Sequence, residues 1–96
     1  MAAGFEFPHA TVMEQRSRGQ TRRLVLLNLI RETRKEAGLS QAEVAKRLDR
    51  PQSFVSDFEK GQRKVDILEL ADFCEACRTT LMEFTARLEE RLAQSS

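Results

Sequence analysis

A short polar segment near the middle of the chain carries side chains that can both donate and accept hydrogen bonds. If Val55 and Phe58 face a protein core, helical spacing turns four polar neighbours away from it: Gln52, Ser53, Ser56 and Asp57. Gln and Ser can hydrogen bond to the base edges in the major groove of DNA, and Gln can bond adenine at two atoms. This polar strip is a candidate for reading bases, or alternatively only a solvent-exposed polar face.

Other reactive groups are few. Cys74 and Cys77 form a single C-x-x-C pair, and the lone histidine, His9, is distant in sequence, so the usual ligand set of a zinc site is incomplete. We expect both thiols to be buried, with redox or metal chemistry as the alternative. No Ser-His-Asp order, phosphate-binding loop or carboxylate pair stands out. The sequence therefore predicts no enzyme, no cofactor and no metal site.

Length and composition indicate one soluble globular domain. The chain has 96 residues, of which 41% are hydrophobic and 32% are charged. No apolar run reaches the ~18 residues that a membrane helix needs. The N-terminal segment MAAGFEFPHA lacks the basic and apolar regions of a signal peptide. We therefore expect a cytoplasmic protein with no membrane contact, a compartment in which thiols stay reduced.

The charge is distributed unevenly, although the formal net charge is only +1. Residues 1–64 carry 13 basic and 8 acidic side chains, a net of +5, whereas residues 65–96 carry 3 and 7, a net of −4. One part of the molecule could thus attract phosphate while the other does not. Ordinary solvated charge explains the same counts equally well.

The periodicity predicts an all-α fold, a compact five-helix bundle with an N-terminal arm. Residues 1–20 are the expected arm, flexible or partly helical, because Gly19 and other breakers interrupt the pattern. Residues 21–93 form the expected domain, with helices at 21–37, 41–48, 51–59, 65–77 and 81–93. Four arginines at the junction could contact the DNA backbone or belong to a disordered tail: Arg16, Arg18, Arg22 and Arg23.

Capping residues mark the predicted helix ends. Thr21 is the expected N-cap of the first helix. Ser40 with Glu43, and Thr80 with Glu83, have the spacing of capping boxes. Apolar residues at helical spacing are expected to face the core: Leu24, Leu27, Ile30, Val44, Ala45, Leu48, Leu68, Leu70, Ala71 and Phe73. Four more recur at helical spacing on the last predicted helix: Leu81, Phe84, Leu88 and Leu92.

The second and third predicted helices, within residues 41–58, are joined by a very short turn. Such a pair must cross at close range, and Ala45 supplies the small residue that this crossing needs. Pro51 suits a first helical position because its missing N–H is not needed there. These residues explain how the unit folds, while the polar strip carries its chemistry.

The segment from Leu27 to Phe84 resembles the lambda-repressor-like, Cro/CI-type helix-turn-helix domain, also called the XRE family. Several signatures occur in order at the right spacing: GLSQ at 38–41, EVA at 43–45, QSxVS at 52–56 and ExG at 59–61. The stretch LADFCEACRTTLMEF (70–84) is similar to the family's connection between its fourth and fifth helices. The resemblance therefore covers most of the predicted domain.

The resemblance implies a five-helix bundle that places its third helix in the major groove, usually as a dimer on a palindromic site. By position, the polar strip would face base edges, and Gln41 would brace Gln52. The residues expected at the DNA backbone are Gln41, Arg50, Lys60 and Arg63. Arg34 and Glu59 match a pair that forms a salt bridge between the first and third helices.

The sequence departs from the family pattern in several places. Asp49 and Arg78 stand where Gly is usual, and Asp tolerates the left-handed conformation. Arg50 replaces an apolar residue and either reaches phosphate across the surface or loosens the core. Phe54 packs either on a thymine methyl or on a neighbouring helix. Asp57 would repel phosphate but could accept a hydrogen bond from cytosine N4.

The sequence thus predicts a sequence-specific transcription regulator, most simply a repressor, that binds double-stranded DNA as a homodimer. Helix 81–93 is the expected dimer surface, unless its leucines only close the core of the monomer. One alternative is an antitoxin that also holds a toxin protein through residues 1–20 or 85–96. Another is a protein-interaction module or co-activator, which the modest net charge and Asp57 favour.

Overall fold

The computed structural model describes the backbone of residues 8–95 and the side chains of residues 18–95. Five helices follow one another in this range: α1 (Pro8–Glu36), α2 (Gln41–Leu48), α3 (Gln52–Lys60), α4 (Ile67–Ala76) and α5 (Leu81–Gln94). No strand occurs between residues 8 and 95. The all-α, five-helix prediction is confirmed. No helix in this part of the chain is long and apolar enough to cross a membrane.

The first helix is longer than predicted. α1 begins at Pro8, so Thr21 lies inside the helix and the prediction that it is an N-cap was wrong. Gly19 is helical as well and does not break the helix. One interior glycine costs only about 1 kcal/mol relative to alanine, which a long helix tolerates. Residues 1–7 of the predicted arm, and the side chain of His9, lie outside the described residues.

Aliphatic and phenylalanine side chains from all five helices build the core. Leu29, Phe58 and Phe84 are among its fully buried members, and the rings of Phe58 and Phe73 lie 5.5 Å apart. Leu24 was expected in this core but is 56% exposed. The reason is that three-residue spacing drifts around a helix of 3.6 residues per turn.

The fourth helix is shorter than predicted. Asp66 is its N-cap, and its carboxylate accepts hydrogen bonds from the backbone N–H groups of Leu68 and Glu69, at 2.9 and 3.2 Å. Leu68 was expected to face the core but is 72% exposed. It lies two residues before the buried Leu70, which places it on roughly the opposite side of an α-helix.

One of the two predicted capping boxes is complete. The backbone N–H of Glu43 donates to Ser40 Oγ at 3.1 Å, and the Ser40 N–H donates to Glu43 Oε1 at 2.8 Å. The hydrogen bond from the Ser40 backbone N–H to its carboxylate lowers the pKa of Glu43. At α5 only half of the box forms, because the Glu83 N–H donates to Thr80 Oγ1 while the Glu83 carboxylate accepts from the Thr79 hydroxyl.

Two non-glycine residues adopt the left-handed conformation that glycine usually fills. Asp49 has φ 56° at the end of α2, as predicted for the turn before α3. Arg78 has φ 61° after α4, and its guanidinium donates to the carbonyl oxygen of Ala37 at 2.7 Å. The side chain of Arg78 therefore also binds the chain just after α1.

The fifth helix closes the bundle against α1. Phe84 is buried, and Leu81 and Leu88 pack against the core. Arg87 pairs with Glu36 and Arg91 pairs with Glu32, with shortest N–O distances of 3.0 and 2.8 Å. Leu81, Phe84 and Leu88 therefore serve the core of the monomer.

Candidate nucleic-acid interface

Close packing of α2 on α3 fixes the orientation of the third helix. Val44 and Ala45 from α2 are buried with Val55 and Phe58 from α3. The small Ala45 side chain allows the close approach that the sequence predicted. Pro51 is the N-cap of α3 rather than its first residue, which shifts the predicted helix by one position.

The polar strip lies on the solvent side of α3. Gln52, Ser53 and Asp57 are exposed and Ser56 is half-buried. The other face of the same helix is buried through Phe54, Val55, Phe58 and Glu59. None of the four strip side chains makes a hydrogen bond or ion pair with another residue in the described part of the chain. Their donors and acceptors are consequently available to a ligand.

A buried ion-pair network borders one edge of the polar strip. It consists of Arg34, Gln41 and Glu59, together with the more exposed Arg31, whose Nε lies 3.9 Å from Glu59 Oε1, and we call it the Glu59 network. Arg34 donates to both carboxylate oxygens of Glu59, through Nε and through Nη2, and its Nη1 donates to the carbonyl oxygen of Leu39 at 3.0 Å. Glu59 is only 2% exposed, and its hydrogen bond raises the pKa of Arg34. The expected salt bridge between α1 and α3 is confirmed.

The position of Gln41 in this network differs from the one that the resemblance implies. Its Nε2 donates to Glu59 Oε1 at 3.0 Å. Among the described residues, Gln41 makes no hydrogen bond to Gln52. The prediction that Gln41 braces Gln52 is therefore wrong for this structure, and Gln41 instead links the start of α2 to the end of α3.

An aromatic ring borders the opposite edge of the polar strip. Phe54 is buried and stacks on Phe58, with ring centroids 5.9 Å apart and an interplanar angle of 12°. The guanidinium carbons of Arg50 and Arg63 each lie 4.5 Å from the centroid of the Phe54 ring. Phe54 thus belongs to the core, and the ring on which it stacks lies on the same helix. Arg50 lies across the surface of that core.

A glutamate that sequence reasoning missed joins these two arginines. Arg63 Nη2 donates to Glu69 Oε2 at 2.8 Å, and Arg50 Nη2 lies 4.0 Å from the same oxygen. The other oxygen, Glu69 Oε1, is buried with no hydrogen-bond partner among the described residues. We call Arg50, Phe54, Arg63 and Glu69 the Phe54 cluster. No periodic signal could have revealed it, because its members come from two loops and two helices.

A family model described as a helix-turn-helix domain matches residues 26–86 of the chain. A solved structure, an XRE-family like protein from Pseudomonas syringae pv. tomato str. DC3000, is 39% identical in sequence and has a TM-score of 0.72. The chain belongs to the XRE-type helix-turn-helix family. The similarity to that structure covers 80% of this chain and 94% of the other. No curated protein sequence matches this chain. Membership in the XRE-type family supports a DNA-binding regulator.

Further basic side chains lie near the end of α3 in this XRE-type domain. Lys60 and Lys64 are exposed. Arg23, on α1, donates through Nη2 to the carbonyl oxygen of Gly61 at 2.7 Å. A Cβ at Gly61 would lie 2.8 Å from Leu27 Cδ1, so a larger residue would require the Leu27 side chain to shift, and the φ of 76° at Gly61 also favours glycine.

The two cysteines of the XRE-type domain are buried, as predicted. Cys74 and Cys77 are free thiols, and burial raises the pKa of each to about 11. In the described part of the chain, no group of three or more His, Cys, Asp or Glu residues could hold a metal ion. Both thiols pack in the core of the domain.

Proposed function

We propose that the protein is a transcription repressor that inserts α3 into the major groove of a specific DNA site. In this proposal Gln52, Ser53, Ser56 and Asp57 face base edges. The residues that approach phosphates are Gln41, Arg50, Lys60 and Arg63. The observation that carries the proposal is the availability of the polar strip, whose groups make no hydrogen bond with a described residue and lie on a helix whose opposite face is buried.

The proposal separates affinity from sequence choice. Contacts from arginine and lysine to phosphate release counterions, so they supply affinity that falls with salt and ignores sequence. Hydrogen bonds from the strip to base edges supply the choice of sequence. Asp57 favours cytosine in this scheme because it can accept a hydrogen bond from the N4 amino group.

The proposal includes a homodimer on a palindromic operator. Two copies of α3 then read half-sites about one helical turn apart, roughly 10 base pairs. Because Leu81, Phe84 and Leu88 pack into their own bundle, a dimer contact through α5 would use its outer side, where Met82 is 77% exposed. Sedimentation equilibrium of the free protein, compared with the spacing of the half-sites, tests this part.

The decisive experiment is fluorescence-anisotropy binding to a pool of random duplexes, with a salt titration and sequencing of the retained DNA. Enrichment of a short palindrome, together with a steep salt dependence, would support the repressor proposal. Salt-sensitive binding without enrichment of any sequence would mean that the polar strip does not determine sequence preference. No binding at low salt would overturn the proposal and favour the protein-interaction module.

A further inference from the structure

The Phe54 cluster lies directly beside the polar strip. Phe54 precedes Asp57 by three residues, so the two occupy neighbouring positions on the surface of α3. Arg50 comes from the turn before α3 and Arg63 from the loop after it. Both arginines therefore reach the same ring from opposite ends of the helix, along the edge of the strip that carries Asp57.

The two guanidinium groups are held close together but remain open to solvent. Their carbons each lie 4.5 Å from the centroid of the Phe54 ring, and both groups face Glu69 Oε2. The side chains of Arg50 and Arg63 are 48% and 39% exposed. A guanidinium has five N–H donors, and Glu69 takes only one of those of Arg63. Most donors thus remain free for a second oxyanion.

The cluster reduces the entropic cost of binding an anion. A free arginine side chain loses many rotamers when it binds, and this loss weakens the complex. Here the Phe54 ring and the Glu69 carboxylate already restrict both arginines before any ligand arrives. Since one carboxylate oxygen lies within 4.0 Å of both guanidiniums, a single phosphate on the solvent side is also within reach of both.

We propose that Phe54 and Glu69 are positioning residues that hold Arg50 and Arg63 as a two-arginine site for one DNA phosphate beside Asp57. This inference rests on the proposed function, because it assumes that α3 meets DNA. It adds a reason for the aromatic residue within α3 and for a carboxylate close to a surface that binds an anion. The paired positive charges also offset the repulsion between Asp57 and the DNA backbone.

Glu69 has two opposite effects on DNA binding, and their balance tests the proposal. Its negative charge repels phosphate, so loss of that charge alone would strengthen binding. Its charge-assisted hydrogen bond orders Arg63, and its charge lies beside Arg50, so replacing the carboxylate by a neutral amide, which holds arginine more weakly, would weaken DNA binding. A positioning role requires the second effect to exceed the first.

The test compares Glu69→Gln with the matched control Glu75→Gln. Glu75 lies on the same helix, is exposed, and its side chain makes no hydrogen bond or ion pair with a described residue. Binding is measured by anisotropy on the selected duplex and on a random duplex across a salt series. We expect Glu69→Gln to weaken binding to both duplexes about fivefold and to reduce the salt slope by about one, while Glu75→Gln leaves both unchanged or binds slightly more tightly.

A second variant removes the Phe54 ring and leaves the charge of Glu69 unchanged. Phe54→Leu keeps an apolar side chain in the core but removes the aromatic face. In the free wild-type protein, NMR should show upfield ring-current shifts for the Arg50 and Arg63 side-chain protons, and Phe54→Leu should lose them. Circular dichroism confirms that the variant is folded at the temperature of the assay. We expect its affinity to fall on both duplexes, as in Glu69→Gln.

Each negative result has a distinct meaning. Equal or tighter binding by Glu69→Gln, relative to wild type, would show that Glu69 only repels phosphate and would overturn the positioning role while leaving DNA binding intact. Wild-type binding without the ring-current shifts would also overturn it. If the wild-type protein binds no duplex, the proposed function falls, and the two-arginine phosphate site falls with it.

Discussion

Two glutamates flank the polar strip of α3, and each meets two arginines, but their surroundings differ. Glu59 is almost fully buried and binds the largely buried Arg34. Glu69 is partly exposed and binds Arg63 and Arg50, whose guanidiniums remain in contact with solvent. The same chemical groups therefore occur in two settings on opposite edges of one helix.

The two settings differ in how many arginine N–H donors remain available to a ligand. In the Glu59 network, Arg34 uses Nε, Nη1 and Nη2 on protein oxygens and joins α1 to α3 and to Leu39. In the Phe54 cluster, the arginines keep most of their donors free. A buried ion pair thus stabilises the orientation of the helices, and an exposed one prepares charges for a ligand.

The largest effect is expected when the buried carboxylate is removed. Glu59→Ala leaves the Arg34 guanidinium buried without a counter-charge, and the predicted loss is about 3–5 kcal/mol in the free energy of unfolding. Urea unfolding followed by circular dichroism measures it. Glu69→Ala is the counterpart in the exposed cluster and should cost about 1 kcal/mol or less. Equal losses for the two variants would contradict the distinction between the edges.

Sequence choice should depend on the residue at the Glu59 edge of the strip. Gln52→Ala removes an exposed side chain that makes no hydrogen bond with a described residue, so stability should change little. Binding to the preferred DNA site should weaken by about 1–3 kcal/mol relative to random DNA. Equal losses on specific and random duplexes, in the same anisotropy assay, would refute a base contact by Gln52.

The exposed cluster should affect all DNA sequences alike. Arg63→Ala removes one guanidinium from the Phe54 ring and should weaken binding to any duplex, with the salt slope reduced by about one. Its effect on the free energy of unfolding should stay below about 1 kcal/mol, because the Arg63 side chain is 39% exposed and Arg50 remains beside Glu69 in the variant. An unchanged salt slope would count against a phosphate contact by Arg63.

The smallest effect should come from the ion pairs between α1 and α5, whose glutamates, Glu32 and Glu36, are more exposed than Glu59 and Glu69. The hydrogen bond from Arg91 lowers the pKa of Glu32 below its ordinary value of 4.5. The pair therefore stabilises the fold above about pH 4.5, and this contribution is lost as the pH falls through the lowered pKa. Because solvent screens the pair, we expect it to contribute less than about 1 kcal/mol.

Acid unfolding of Glu32→Gln checks the contribution of this pair. The variant should be slightly less stable than wild type at neutral pH, and the two stability curves should converge in acid. Curves that stay parallel down to pH 2 would show that Glu32 titrates with no benefit from Arg91.

Local signals in the sequence were enough for the parts of the fold that depend on neighbouring residues. The capping box of Ser40 and Glu43 sets the start of α2, and Gly61 ends α3, because both act within one helical turn. The start of α1 could not be read in this way, since Gly19 is a weak breaker inside a long helix. Leu24 and Leu68 were misplaced because apolar type alone does not fix which face of a helix is covered.

The two edges of the candidate site differed in how far they could be predicted. The salt bridge between Arg34 and Glu59 was predicted from the family resemblance, and the structure confirms it. The contact of Arg63 with Glu69 could not be inferred, because it depends on how the loop after α3 returns to α4. Phe54 looked unusual in a helix expected to read bases until the structure revealed both arginines on its ring.

The burial of the two cysteines has a practical consequence for following the opening of the fold. With a pKa of about 11, Cys74 and Cys77 are almost entirely protonated at pH 7, with about one molecule in ten thousand carrying a thiolate at either site. An alkylating reagent should therefore modify them only when α4 detaches from its neighbours. The rate of alkylation would then measure how often α4 detaches and exposes the hydrophobic core to water. The phenylalanines of this core are Phe54, Phe58, Phe73 and Phe84.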